Sequence, residues 1–278
     1  MTASAASVLQ AIAELKPSDH LCCIYETEAQ HRSVMTAFLR QGLERDEKVL
    51  YIIDEHAAET ILHYLKDDGL DVQFYLSHGQ LKILTQDDTY VRDGVSDPDG
   101  MIALLASETQ IALQEGYAAL RVTGEMTWAL RGLPGSERLI EYEIKLNTFF
   151  PGQRCMALCQ YDRRRFAPEI LLDVLRTHPI AVVGTEVYDN FYYTSPQEML
   201  RDDPAQATLL HWVGNLSEHR QTEEKLAEYR EHLEDLVEAR TRELANVNQR
   251  LHEMHHELEV QTAELEVVNA ELSQYAYV

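Results

Sequence analysis

Apolar residues follow two different periods along this chain, and the change falls near residue 217. In the C-terminal part Leu244, Val247, Leu251, Met254, Leu258, Gln261, Leu265, Val268, Leu272 and Tyr275 are spaced alternately by three and four residues. That is the a/d spacing of a coiled coil, with Gln261 a polar seam position of the kind that selects register. Leu226, Tyr229, Leu233 and Leu236 keep the rhythm in another phase. The two stripes therefore meet at a stutter around Leu236–Val237, where supercoil winding changes locally. So narrow a stripe needs another helix to cover it, and an identical chain is the simplest supplier, which predicts a parallel homodimer. A single amphipathic helix folded back on the rest of the chain is the alternative. Leu233, Leu236, Val237 and Leu244 are the positions expected to transmit a signal across the stutter.

Before residue 217 the pattern alternates between strand and helix. Apolar runs at 21–25, 48–54, 81–85, 118–124, 154–161 and 180–184 read as strands, several apolar on both faces as central parallel strands are. Helical patterns at about 28–44, 56–68, 98–115, 135–149 and 168–177 lie between them. This order predicts an α/β fold, a three-layer sandwich around a mostly parallel sheet. The expected organisation is an N-terminal helix over 1–16, an α/β domain over 17–200, a connector over 201–217 that the run RDDPAQ (201–206) opens, and a coiled-coil helix over 218–278.

Composition narrows the function classes. A net charge of -23 over 278 residues would repel phosphates, so no nucleic-acid or anionic-membrane partner is expected. No apolar run approaches the roughly 20 residues that span a bilayer. The start, MTASAASVLQAIAELK, lacks the basic and apolar regions of a signal peptide. The cysteines Cys22, Cys23, Cys155 and Cys159 make no disulfide framework in a chain this long. A reduced, cytoplasmic location is the expectation.

Five separated stretches, DHLCCIYET, VTGEMTWAL (122–130), IEYEIKLN (140–147), CQYDRRRF (159–166) and THP (177–179), together resemble the MEDS domain. This is the sensory domain named for methanogens, methylotrophs and the regulator DcmR, and the resemblance covers residues 17 to 195. It implies descent from RecA/KaiC-like P-loop ATPases and a role as a ligand-sensing input module, proposed for the family to sense small hydrocarbon derivatives. The residues bear on that ancestry directly. Where an ATPase has a glycine-rich turn ending in Lys-Ser/Thr, this chain has ETEAQHRS, Glu26 to Ser33, with no glycine, no lysine and two carboxylates. Arg32 and Ser33 stand where the Lys-Ser/Thr pair would be, but no phosphate nest can form without the glycines. ATP hydrolysis is not expected.

Ligands of parallel sheets sit at the carboxyl ends of strands. Those ends supply Tyr25, Glu26, Asp54, Glu55, Glu125, Trp128, Gln160, Tyr161 and Asp162. From these, Tyr25, Glu26, Asp54, Glu125, Trp128 and Tyr161 are the expected ligand-binding residues. Glu125 leads, because a carboxylate after a buried strand must be paired or bind something polar or cationic. Its competing role is a structural pair with Arg121, Arg131 or one of Arg163–Arg165. No catalytic residue and no metal is expected. The alternative is a metal, haem or thiol-redox site at His20, Cys22 and Cys23. Strand geometry opposes it: Cys22 and Cys23 point to opposite faces, and Cys155 and Cys159 lie about 13 Å apart on one face. His178 is expected to do no chemistry, Pro179 serving to end the preceding helix.

The tail also resembles the signalling helix that joins sensors to histidine-kinase cores. That resemblance implies a downstream kinase core and response regulator, and a sequence that stops before the phospho-acceptor histidine. His252, His255 and His256 are read as solvated. The expected function is a non-enzymatic, small-molecule sensory input module of a two-component histidine kinase. A haem- or thiol-based redox sensor, a residual nucleotide-binding enzyme and a dimerisation scaffold are the alternatives.

Overall fold

A computed structural model describes residues 3–92, 94–199 and 203–275. The chain divides into two compact units, Met1–Val213 and Gly214–Val278.

In the first unit a seven-stranded sheet is built from β1 (His20–Tyr25), β2 (Lys48–Ile53), β3 (Leu81–Thr85), β6 (Leu120–Glu125), β7 (Cys155–Asp162), β8 (Ile180–Val183) and β9 (Glu186–Asp189). A small antiparallel pair, β4 (Val91–Arg92) and β5 (Val95–Ser96), lies between β3 and β6 in the chain. The strand order is β3-β2-β6-β7-β1-β8-β9, parallel except for the β8–β9 hairpin. The six strands read from sequence are present to within two residues at each end. The pattern did not reveal β9, which is short and half polar, nor the β4–β5 pair, nor the six-residue helix α4 below.

Helices cover both faces. On one face lie α1 (Ala3–Ala13), α2 (Glu28–Glu44), α3 (Ala58–Asp67) and α4 (Val72–Ser77). Val34, Met35, Phe38 and Ile61 pack there against Leu21, Cys23, Tyr51 and Leu158 of the sheet. On the other lie α5 (Pro98–Gln114), α6 (Leu139–Phe149) and α7 (Pro168–Thr177), whose Leu105, Tyr142, Leu146 and Val174 meet Cys22, Leu50, Val122 and Cys159. Strand alternation explains the division, since Cys22 and Cys23 belong to opposite cores. The protein is a three-layer α/β sandwich around a mostly parallel sheet.

Only Glu26 and Thr27 separate β1 from α2. Thr27 and Gln30 form a capping box, in which Gln30 Oε1 accepts from the Glu26 and Thr27 amides and Thr27 Oγ1 accepts from the Gln30 amide. The helix end is thus closed by its own side chains. Of the arginines weighed against Glu125, Arg121 is fully buried at the far end of β6. There it pairs with Glu47 and lies over the Phe38 ring.

A short helix α8 (Pro196–Met199) precedes α9 (Pro204–Tyr275). Residues 204–217, expected as connector, are therefore helical, with Pro204 at the helix start where its missing N–H costs nothing. In the second unit Leu233, Leu236, Val237, Leu244, Leu251 and Leu258 are all exposed. Pairs such as Glu238–Arg242 and Arg220–Glu224 line its flanks at i,i+4 spacing. Residues 201–202 and 276–278, and the side chains of the last stripe positions Leu272 and Tyr275, lie outside the described residues.

Candidate functional site

At the carboxyl edge of the sheet, β1 and β2 leave through α2 and α3 on one face, while their neighbours β7 and β6 leave through α7 and α6 on the other. Such reversals open a crevice between adjacent strands. Glu125, the last residue of β6, turns into it, opposite Gln160 of β7 in the sheet register.

Glu125 is 2% exposed and fully hydrogen-bonded. The backbone N–H groups of Asp54, Glu55 and His56 donate to its Oε2 at 3.0, 2.5 and 3.0 Å. His56 Nδ1–H donates to its Oε1 at 3.0 Å, and the Tyr51 hydroxyl approaches the same oxygen at 3.2 Å. On its other side His56 Nε2–H donates to Glu28 Oε2 at 3.0 Å. With both ring nitrogens donating to carboxylates, His56 is an imidazolium. Burial alone would lower its pKa, but Glu125 and Glu28 outweigh burial and hold it at about 9. Burial likewise acts to raise Glu125, and His56 with the backbone donors brings it below the usual carboxylate value.

His31 stacks on His56 with ring centroids 4.2 Å apart and planes 5° from parallel. Burial, then the charge on His56, lower its pKa, so it stays neutral. Its Nε2–H donates to Gln160 Oε1 at 2.8 Å, with Gln160 oriented by its amide donating to Thr123 Oγ1. The result is a hydrogen-bonded floor of one imidazolium between two carboxylates, under a cavity of about 280 Å³. Tyr25, Glu28, His56, Asp162, Arg164 and Arg165 are among its lining residues. Arg164 closes the rim, with Nη2 2.6 Å from Asp162 and 3.0 Å from Glu28.

Arg164 also borders a second, larger cleft of about 810 Å³ beside β1 and β8. Its wall is apolar, formed by Ile24, Phe166, Leu171, Leu172, Leu175 and Val183, and Glu26, Gln30 and Arg163 stand at its mouth. Arg163 Nη1 meets Glu26 Oε1 at 2.5 Å.

The expected site residues are thus divided. Tyr25 and Glu125 meet at the acid–histidine floor, and Glu26 stands at the apolar cleft. Asp54 is turned aside, accepting from Thr127 Oγ1 at 2.6 Å and pairing with Arg131. Trp128 does not face Glu125. Residues Met126–Arg131 form a 3-10 helix that carries Trp128 into the opposite core, where it stacks on Tyr90 at 5.1 Å. Tyr161 follows Gln160, so strand alternation sends it to that same core, where its hydroxyl donates to Glu143. None of the arginines weighed as Glu125's partner pairs with it; His56 does. Tyr51, His31 and His56 were not anticipated, although Tyr51 shares strand parity and face with Tyr25 and Glu125. The alternative metal set also separates: Cys23 faces the opposite core, and His20 lies beside Cys159, Glu143 and His178.

Residues 19–179 match the family described as the methanogen/methylotroph, DcmR sensory domain. A transcriptional repressor, DcmR of Methylorubrum extorquens, is 28% identical over 162 residues, which make up 58% of each chain. The chain thus matches little more than half the length of that curated relative. A KaiC-like protein from the archaeon Pyrococcus horikoshii OT3 superposes with a TM-score of 0.43 and 16% identity, over 60% of this chain and 71% of its own. By the match over residues 19–179, the chain belongs to the MEDS family of sensory domains.

Proposed function

We propose that this chain is a small-molecule sensory input module that reports the occupancy of the apolar cleft through its C-terminal helix. The observation that carries the reading is the cleft itself, an apolar wall with a few charged groups converging at its mouth, the usual make-up of a ligand pocket. The ligand class it suits is a short-chain, largely apolar molecule with one polar end for Arg163, Glu26 or Gln30. The closed α2 terminus and the two-residue β1–α2 link leave no loop to wrap a triphosphate, which supports a degenerate P-loop and a non-enzymatic role.

Signal output follows from linkage: a ligand shifts the sensor only by its differential affinity for two states. The exposed stripe on α9 favours pairing with a second copy in parallel. The phase change at Leu236–Val237 supplies two windings of similar energy to be biased, with Leu233 and Leu244 on either side. A histidine-kinase core and response regulator downstream, in the cytoplasm, complete this reading. Among the described residues no helix is long and apolar enough to cross a membrane. A thiol-redox sensor is the weaker reading, because burial pushes the Cys23 and Cys155 thiols up to about 12 and raises Cys22 and Cys159 as well.

The test uses 1-hexanol and hexanoate as probes in thermal-shift and NMR titrations. At about 100 times Kd a ligand of the native state adds about 2.7 kcal/mol. Leu172 and Val183 are 56% and 46% exposed, so Leu172→Arg with Val183→Arg should fold normally and weaken probe binding at least about tenfold. Equal binding by wild type and variant would remove the cleft from consideration.

A further inference from the structure

His20, Glu143, Cys159 and His178 come together beneath the sheet on the α6 side, remote from the α2 layer that holds His56, and all four are buried. His20 Nε2 and His178 Nε2 each lie 3.2 Å from Glu143 Oε2. Cys159 Sγ is 3.6 Å from His20 Nε2 and 3.7 Å from Glu143 Oε2. The four ligand atoms all fall within 4.8 Å of one another.

The surroundings anchor both imidazole rings through Nδ1. Asn147 spends its amide hydrogens on the carbonyls of Glu143 and Thr177, so its Oδ1 must accept from His20 Nδ1–H, at 3.0 Å. His178 Nδ1–H donates to the Val174 carbonyl at 2.7 Å. Each ring therefore turns its Nε2 toward Glu143 Oε2. His178 Nε2 has no hydrogen-bond partner despite complete burial and a carboxylate 3.2 Å away. Buried polar atoms are seldom left so, and one aimed into a cluster of donor atoms points to something between them.

We propose that His20, Glu143, Cys159 and His178 form a closed tetrahedral site for one divalent metal ion, zinc by ligand chemistry. With bonds of about 2.0–2.1 Å to nitrogen and oxygen and about 2.3 Å to sulfur, a tetrahedron has edges of about 3.3 Å between nitrogen and oxygen and about 3.5 Å between sulfur and either. The four edges from His20 and His178 to Glu143, and from Cys159 to His20 and Glu143, match those lengths to within a few tenths of an ångström. The two remaining edges, from His178 to His20 and to Cys159, are within 4.8 Å. Glu143 carboxylate and Cys159 thiolate balance a doubly charged ion, so the buried centre is neutral. Asn147, the Val174 carbonyl and the Tyr161 hydroxyl on Glu143 Oε1 supply the outer contacts that orient metal ligands. Loading releases the Cys159 thiol proton to solvent as the metal–sulfur bond forms. No substrate position is left open, so the ion ties β1, β7, α6 and the end of α7 together rather than performing catalysis. The second histidine–carboxylate cluster, Glu28, His31 and His56, differs in the deciding respect: both nitrogens of His56 already donate to carboxylates.

The proposal goes beyond the sensory reading and can fail without it. The full chain, purified without chelator from zinc-supplemented cells, should carry about one zinc per chain by mass spectrometry of its elements. X-ray absorption should report one sulfur at about 2.3 Å and three nitrogen or oxygen neighbours at about 2.0–2.1 Å. Cobalt-refolded protein should show a thiolate-to-cobalt charge-transfer band that Cys159→Ser abolishes and Cys155→Ser keeps, and Asn147→Leu should weaken affinity about 10–100-fold. Less than about a tenth of an equivalent of any divalent metal in wild type, after refolding with zinc as well, overturns the site. So does a coordination shell without sulfur or with more than one, a reading on wild type that no misfolded variant can obscure.

Discussion

Exchanging Glu125 for glutamine keeps the side chain's shape and removes its charge. Oε2 accepts three backbone N–H groups and Oε1 accepts from His56. Whichever way the amide is turned, its NH2 therefore faces a donor. One partner is left unsatisfied in a site where Glu125 itself is 2% exposed. Removing one member of a buried charged pair costs about 3–5 kcal/mol, and the lower end applies because His56 retains Glu28 on its solvent side. Glu125→Gln should therefore lose about 3 kcal/mol of unfolding free energy at pH 7, read by urea denaturation. The pH profile identifies the cause. His56 titrates at about 9 in the native state against an ordinary 6.5, so its contribution is complete below 6.5 and is lost as pH rises through 9. Glu125 is lowered from 4.5, so its contribution is present above 4.5 and is lost as pH falls. The gap between wild type and variant should be widest between those limits and narrow on both sides. In the variant, NMR titration should find His56 far below 9, burial then acting with one carboxylate fewer. A loss under about 1 kcal/mol, or an unmoved His56, would refute the assignment of Glu125 as the anchor of this network.

Two further outcomes follow from packing. Gly124→Ala places a methyl against the Tyr90 hydroxyl, with the Tyr90 ring stacked on Trp128, and should cost about 1–3 kcal/mol by thermal or urea unfolding. Leu251→Asp with Leu258→Asp, at side chains 55% and 61% exposed in the single chain, should halve the mass seen by light scattering while leaving the α/β unit's near-UV signal intact. Each leucine buried in a dimer seam contributes about 1.5–3 kcal/mol, so unchanged mass would exclude this stripe as the interface.

The sheet was legible because its strands are apolar on both faces and its crossovers are of helical length. β9 was not, since Glu186–Asp189 mixes acids with apolar residues and relies on its hairpin partner for definition. The site was legible only where strand parity was enough. Tyr25 and Glu125 end strands that face the same layer, and the alternation that joins Gln160 to Glu125 would also have excluded Tyr161. Trp128 needed knowledge that its segment coils as a 3-10 helix, a choice set by packing against Tyr90. The buried quartet escaped because its members lie far apart in sequence. His20, Glu143, Cys159 and His178 come from four of the five stretches that carried the family resemblance, yet only the β1–β7 register and the packing of α6 and α7 bring them to one point.

The hairpin at one margin of the sheet limits how this protein can aggregate. β9 is four residues long, begins and ends with an acid, and runs against its neighbour after the tight Gly184–Thr185 reversal, with Gly184 at φ 65°. A brief, negatively charged selvedge of that kind is a poor template for a foreign strand. Ribbon-like stacking of copies through this edge of the sheet is therefore discouraged.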